Sequence, residues 1–199
     1  AGEKGEIVVR DGTCPAVHTP LQATEKGVAF MPLRGVLGSQ LISLRQDWKV
    51  EQNPFSDKPD PILMVPAIVP EVALFHARWA DEAGNVWVGR RRELATIAHA
   101  SRLCLVTYEE KREGDMLEDE LLAPAVIFAA YVPATRQARR GAWPLGVAEV
   151  YGIDDAHLMR YARAAKTREG FERYLGEFVC TPPECSSPAP LPAWSGGRR

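Results

Sequence analysis

Residues 34–39, named the Arg34 turn below, are the first stretch of the sequence whose side chains could bind a small molecule. Arg34 is followed by Gly35, Gly38 and Ser39. Glycines let backbone N–H groups approach a ligand, and a guanidinium offers a fork of donors suited to a carboxylate or a phosphate. The turn matches neither a Walker A loop nor a G-x-G-x-x-G fingerprint, so the pattern predicts either a ligand contact or a simple chain reversal.

His76 and Arg78 form the second candidate group, near the end of an apolar run. Alternate residues of a strand share a face, so both side chains would face one cleft if the strand continues. A lone histidine in such a place is more often a hydrogen-bonded structural residue than a base or ligand, and both interpretations stay open. The charged run at 109–113 indicates mainly a solvated loop, although Glu109 or Glu110 would offer a carboxylate at a strand end.

The elements that position these groups alternate between strand-like and helix-like patterns. This alternation favours an α/β fold with an open, largely parallel sheet and flanking helices. The apolar run at 28–33 predicts a strand before the Arg34 turn, and apolar residues spaced along 37–48 predict a helix after it. The Arg34 turn would then lie at a carboxyl strand end, where open α/β sheets bind ligands.

The second half of the sheet is predicted from a strand, a turn, a helix and a further strand. The nearly unbroken apolar run at 72–77 predicts a central strand covered on both faces. Turn residues at 81–85, an apolar helix stripe at 94–98 and a buried strand at 103–108 complete a βαβ unit. The segment 124–131 is expected to be extended.

Composition limits the classes of function that this chain can have. The 199 residues carry 24 Lys+Arg and 26 Asp+Glu, a net charge of -2, which gives no electrostatic reason to bind nucleic acid or an anionic membrane. The most hydrophobic stretch, 62–75, is interrupted by prolines and a glutamate, so no membrane span is expected. Four cysteines are too few for a disulfide framework and favour a cytoplasmic protein. Cys180 and Cys185 lack the further ligands of a zinc site, so no metal is expected.

Three regions are expected along the chain. Residues 1–26 form an N-terminal segment, and residues 27–178 form the α/β domain. Residues 179–199 form a tail rich in Pro, Ser and Gly that is expected to be disordered. Two helices are predicted near the end of the domain, one capped by Asp154 or Asp155 and one by Thr167.

The stretch from Pro66 to Val86, PAIVPEVALFHARWADEAGNV, resembles the alpha-subunit signature of glutaconate-type CoA-transferases. In that signature an apolar strand runs into His-Ala-Gln-x-Ala-Asp and then Gly-Asn. Other segments resemble the same family in the same order, and together they cover about 27–175. These segments are 30–39, 100–110, 140–145 and 151–158.

The resemblance implies a CoA-transferase type of α/β fold and an alpha-type subunit of a heteromeric acyl-CoA:carboxylate CoA-transferase. A beta-type subunit would supply the catalytic glutamate, so no nucleophile is assigned here. Coenzyme A would be a substrate, and no resident cofactor is implied. The residues that would contact the acyl-CoA or carboxylate substrates are Arg34, Gly35, Gly38, Ser39, His76 and Arg78.

Two departures from the family pattern bear on these expectations. Arg78 stands where the family usually has Gln. The glycine-rich amino-terminal region of family alpha subunits has no counterpart here, so the chain resembles the carboxy-terminal part of one, and 1–26 would be a remnant of a longer subunit. The alternatives are a related CoA-ester hydrolase that opens carbon rings, a non-catalytic scaffold subunit or, last, a sugar-phosphate isomerase. A partner subunit is expected to meet Trp143, Leu145, Val147 and Tyr151.

Overall fold

The computed structural model describes residue 5 and residues 7–180. The chain divides into two compact units, Ala1–Thr135 and Arg136–Arg199. The tail predicted at 179–199 lies outside the described residues except for its first two, and so does Cys185. Every helix in the described part of the chain is too short or too polar to cross a lipid bilayer.

The first unit begins with a helix and a small antiparallel sheet. Its strands run in the order β1-β3-β2, and Leu33 pairs with Leu63. Leu63 and Val65 are fully buried on the inner face, where they meet Ala16 and Trp48. Because side chains alternate along a strand, the residues between them point to the outer face. The elements are α1 (Cys14–Glu25), β1 (Phe30–Leu33), α2 (Leu41–Leu44), β2 (Lys49–Gln52) and β3 (Pro61–Pro66).

A second, five-stranded sheet has the order β7-β5-β4-β6-β8. β4 and β6 are parallel and are connected through α3, as the predicted βαβ unit requires. The chain passes from the first unit to the second within β8. The elements are β4 (Val72–Ala80), β5 (Val86–Trp87), α3 (Glu93–Ala100), β6 (Leu103–Lys111), β7 (Val126–Ile127) and β8 (Ala134–Gln137).

The α/β class and the flanking helices are confirmed, but the sheets are mixed where the sequence predicts a largely parallel one. β5 pairs antiparallel with both β4 and β7, and both pairs of the small sheet are antiparallel. The short turn at 81–85 joins β4 to β5 directly, and such a connection leaves no length for the crossover that a parallel pair needs.

The core of the five-stranded sheet lies on one face of β4 and β6. Ala73, Ala77, Cys104 and Val106 are buried there together with Ala98 of α3. Small side chains on β4 allow the helix to approach the sheet closely. β4 is central in the strand order, yet Leu74 on its other face is 73% exposed, so the expectation of a strand covered on both faces is wrong for this face.

Two further expectations differ from the structure. Only the four residues of α2 are helical within the predicted helix 37–48, because Gly38 adopts a φ of 79° and residues 34–39 form successive turns. The segment 124–131 contains β7 between two short 3₁₀ turns, Ala123–Ala125 and Ala129–Tyr131, rather than a continuous extended stretch. Pro124 lies at the start of the first of these turns, as its fixed φ favours.

The second unit contains α4 (Asp155–Ala164) and α5 (Arg168–Phe178). Both predicted caps are present: the Asp154 carboxylate accepts a hydrogen bond from the backbone N–H of His157, and the Thr167 hydroxyl accepts one from that of Gly170. These caps satisfy N–H groups that have no partner within the helix.

Candidate functional site

An apolar groove of about 700 Å³ runs along the outer face of the three-stranded sheet. Phe30 and Pro32 of β1 and Ile62 and Met64 of β3 line it, because alternate residues of paired strands share a face. Arg34 lines the groove at the end where β1 finishes and β3 begins. This size is typical of small-molecule binding pockets. The sequence prediction found Arg34 but not the groove, whose floor comes from β3.

Arg34 is already engaged by an acidic residue at this end of the groove. Its Nη2 donates to Oδ2 of Asp60, and Nδ2 of Asn53 donates to the same oxygen over 2.7 Å. The Asn53 hydrogen bond and then the Arg34 guanidinium hold the pKa of Asp60 below its ordinary value. Asp60 is therefore ionised at neutral pH and neutralises the guanidinium, which is 61% exposed.

The loop 53–60 forms one rim of the groove and carries a solvent-exposed aromatic ring. Phe55 is 96% exposed. Its backbone N–H donates to Oδ1 of Asn53 over 3.1 Å, and Nε2 of Gln52 donates to the carbonyl of Lys58 over 2.7 Å. These bonds tie the loop to its own backbone and to β2, while Phe55 at its tip stays exposed. Sequence reasoning missed this loop; its signal was the run of turn-forming residues Asn-Pro-Phe-Ser-Asp.

Gly35, Gly38 and Ser39 lie outside the groove lining. Gly38 needs its positive φ to form the turn, and the Ser39 hydroxyl donates to the carbonyl of Val36 over 2.7 Å. The space around both glycines is open. The helix that follows has only four residues, so it does not provide the helix N-terminus that the turn was expected to open.

His76 is held between two side chains of β6. Its Nδ1 lies 2.7 Å from Oγ1 of Thr107, and its Nε2 lies 2.7 Å from Oε1 of Glu109. The His76 and Glu109 side chains are 9% and 5% exposed. Both ring nitrogens are thus occupied within the fold, which favours the structural interpretation of His76.

Glu109 corrects the expectation of a solvated loop. β6 extends to Lys111, so Glu109 is part of a central strand and is 4% exposed, while Glu110 is exposed. Burying a carboxylate requires a partner, and His76 provides one from the neighbouring strand. A sequence run of charges cannot reveal such a partner, because His76 and Glu109 are far apart along the chain.

Arg78 shares the face of His76 on β4, as predicted from the strand period. Its guanidinium lies 4.3 Å from the ring centroid of Trp79, and the guanidinium of Arg112 lies 5.0 Å from the same centroid. Cations over an indole face are attracted by the ring quadrupole. The ring centroids of Trp79 and Trp87 lie 4.8 Å apart, so aromatic and basic side chains cluster at this end of β4.

The turn after β4 is closed by a buried polar network. Asp81 and Asn85 are 4% and 1% exposed. Oδ1 of Asp81 accepts from the backbone N–H of Asn85 over 2.8 Å, and its Oδ2 accepts from Nδ2 of Asn85 and the backbone N–H of Met116. Gly84, at a φ of 88°, allows the tight reversal. These residues of the signature therefore have a structural role.

The residues expected at a partner interface lie in the second unit. The Trp143 ring contacts the His157 ring at a tilt, with centroids 4.0 Å apart, and its Nε1 donates to Asp154 over 3.1 Å. The Tyr151 hydroxyl accepts from the backbone N–H of Ala142. Both aromatic residues thus contribute to packing within their own unit, whereas Leu145 is 56% exposed.

The predicted ligand-binding residues fall into two groups. Arg34, Gly35, Gly38 and Ser39 belong to the small sheet, and His76 and Arg78 belong to the large one. Within the described residues, no group of three or more His, Cys, Asp or Glu side chains could hold a metal ion. The groove beside Arg34 is the candidate for binding an organic ligand.

Comparisons with known proteins relate the chain to one group of enzymes. No family model matches it. One subunit of the 3-oxoadipate CoA-transferase of Pseudomonas knackmussii is 29% identical and matches 79% of this chain and 54% of its own length. The corresponding subunit of the glutaconate CoA-transferase of Acidaminococcus fermentans is 25% identical and matches 89% of this chain and 60% of its own. The crystal structure of that glutaconate enzyme superposes with a TM-score of 0.79.

Similar proteins with other names also match. The cholesterol ring-cleaving hydrolase IpdA subunit of Rhodococcus jostii is 25% identical over 88% of this chain and 62% of its own length. The crystal structure of the decarboxylase AibA/AibB is 28% identical, with a TM-score of 0.76 over 90% of this chain and 64% of that one. This chain therefore spans only 54% to 62% of the three named relatives.

Proposed function

We propose that this chain, which is homologous to CoA-transferase subunits, forms part of the alpha-type subunit of a heteromeric acyl-CoA:carboxylate CoA-transferase. The observation that carries the proposal is the likeness to glutaconate CoA-transferase, which covers 89% of this chain in both sequence and structure. Two named relatives are subunits of enzymes that carry CoA-transferase in their names.

The proposed reaction needs a nucleophile from the partner. In the first step a glutamate of the beta-type subunit is the nucleophile: it attacks the thioester carbonyl and expels the CoA thiolate, which leaves an acyl-glutamyl anhydride. The thiolate then attacks the glutamyl carbonyl of the anhydride, so that the first acid leaves as a carboxylate and a glutamyl-CoA thioester forms. A second carboxylate reverses the two steps and takes the CoA.

This chain would contribute binding surfaces to the shared cavity. The groove beside Arg34 offers an apolar wall that ends at the Arg34–Asp60 ion pair, which suits the hydrocarbon part of an acyl group. We assign the remaining contacts with substrate or CoA to Gly35, Gly38 and Ser39 in the turn and to His76 and Arg78 on β4. His76 would contact the ligand only through its ring carbons, since both of its ring nitrogens are held by Thr107 and Glu109.

The experiment is a transfer assay on the complex. The chain is purified together with the product of a neighbouring gene that carries a beta-type glutamate, and labelled CoA is followed from an acyl-CoA to a second carboxylic acid. We expect transfer by the complex and none by the chain alone. Full-rate thioester turnover by the chain alone, or a complex that never transfers CoA to any acceptor, would contradict the proposal.

A hydrolase subunit is the second candidate, favoured by the name of the Rhodococcus jostii relative. In that case water would add across a carbon–carbon bond of a ring in the CoA ester, which gives an opened carboxylic acid and leaves the thioester intact. A ring-cleaving hydrolase acts in the absence of any acceptor acid, whereas a transferase requires one. Mass spectrometry of the CoA esters separates the two functions: ring opening adds the mass of one water without an added acid, and transfer forms a new CoA ester only with one.

A further inference from the structure

We infer that the groove on the three-stranded sheet binds the hydrocarbon part of a monocarboxylic acyl group, and that Asp60 disfavours acyl groups with a second, distal carboxylate. The inference rests on the proposed function and specifies the substrate class of the same site. It follows from the composition of the groove and from the ion pair at its end.

The floor of the groove is built for hydrocarbon. Phe30 and Pro32 on β1 and Ile62 and Met64 on β3 line it, and Pro32 pairs directly with Met64. Strand residues advance by about 3.3 Å each, so β1 gives the floor a length of about 10 Å, enough for a medium-length acyl chain. Burying each methylene there strengthens binding by up to about fourfold. Phe55 at the rim is exposed and free to cover such a chain.

The charges of the groove do not suit a second carboxylate. Among the described residues that line it, Arg34 is the one cation and Glu51 is the one anion. Arg34 is also paired with Asp60, which is fixed from the other side by Asn53. A distal carboxylate at this end of the groove would have to compete with Asp60 for the guanidinium and would lie in the field of Asp60 and Glu51, whereas Lys49 lies away from this end, beside Met64. An uncharged chain end meets no such opposition.

The test uses thioesters that lack the nucleotide of CoA. Binding of S-octanoyl-N-acetylcysteamine to the full chain is compared by calorimetry with binding of its ω-carboxylate analogue. We expect the octanoyl compound to bind at least about fivefold more tightly, as is reasonable for one partly exposed charge interaction. In Asp60→Asn the preference should fall below about twofold, because Arg34 becomes available to the distal carboxylate.

A second variant locates the binding in the groove. Met64→Glu places a carboxylate on the floor, opposite Lys49 of β2, and should weaken octanoyl binding by at least about tenfold. Met64→Leu should retain binding. Leu121→Glu is the matched control, because Leu121 is 89% exposed in a loop outside the groove and the same charge is introduced. Circular dichroism confirms that each variant is folded.

Several results would overturn the inference. These are equal binding of the two thioesters, an unchanged preference in Asp60→Asn, or full binding by Met64→Glu. Loss of thioester binding when the beta-type subunit is added would show that a protein surface occupies the groove, and conversion of a dimer to a monomer by Met64→Glu would show that a second copy does. The transfer assay of the complex is separate, so thioester binding without CoA transfer would refute only the proposed function.

Discussion

Replacing His76 by leucine tests the role of the buried pair between β4 and β6. The side chains of His76 and Glu109 are 9% and 5% exposed, and their nitrogen and oxygen atoms lie 2.7 Å apart. The change removes the hydrogen bonds to Thr107 and Glu109 and leaves a carboxylate buried beside an apolar side chain. We expect the free energy of unfolding to fall by about 3 kcal/mol, since hydrogen bonds to charged groups contribute about 1.5 to 3 kcal/mol each.

Calorimetry and urea unfolding provide the measurement. For a chain of this size, a loss of about 3 kcal/mol lowers the midpoint of thermal unfolding by about 6 to 12 °C. Thr107→Val removes only the neutral partner of the imidazole and should cost about 1 kcal/mol. The two variants thus rank the charged bond above the neutral one.

The double variant His76→Leu, Glu109→Leu completes a thermodynamic cycle. Its loss should be smaller than the sum of the two single losses by at least about 1.5 kcal/mol, because removing both partners leaves no buried charge behind. Additive losses, or a loss below about 0.5 kcal/mol for His76→Leu, which is the size expected at an ordinary surface position, would refute the reasoning that the pair holds β4 and β6 together.

Three other predictions concern pH, the buried turn and thiol reactivity. The hydrogen bond from Arg45 lowers the pKa of Asp47 from 3.8 to about 2, so the stabilisation from this bond is present above pH 3.8 and is lost as the pH falls towards 2. Asp47→Asn should remove about 1 kcal/mol of this acid dependence, measured in unfolding curves from pH 5 to about 2. A variant with unchanged pH dependence would contradict this explanation. Asn85→Ala should lower the free energy of unfolding by about 3 kcal/mol in urea, because the buried Asp81 carboxylate loses one of its hydrogen-bond donors and the backbone N–H of Ala129 loses its acceptor. Burial raises the pKa of Cys104 to about 11, so iodoacetamide at pH 8 should label the exposed Cys14 and leave Cys104 unlabelled until urea is added. Equal labelling of the two cysteines, measured by mass spectrometry, would show that strand β6 opens.

Sequence patterns predicted the parts of the fold that depend on local order. The turn at 81–85, the parallel pair of β4 and β6 and the caps of α4 and α5 follow from residue types at fixed short spacing. Helix α1 was not predicted, because Pro15 and Pro20 both lie in it and weaken the helical pattern.

The candidate site was predicted only where a single residue type carried the signal. Arg34 was identified from its place after a strand, but the groove depends on β1 meeting β3, a pairing of distant segments that no local pattern encodes. Glu109 was misassigned for the same reason: its burial depends on His76 in another strand. Asp60 was not considered at all, although it determines the charge at the end of the groove.

The placement of the signature residues bears on why proteins with several reactions share this fold. Relatives named as transferases, a hydrolase and a decarboxylase all match this chain at 25% to 29% identity. In the signature stretch, His76, Asp81 and Asn85 are engaged in buried hydrogen bonds that fix β4 to its neighbours. Such residues maintain the scaffold whichever bond is broken, so likeness in this stretch supports the fold more strongly than the reaction. Substrate choice would then depend on surfaces outside the signature, and the groove proposed above to bind the acyl chain is such a surface.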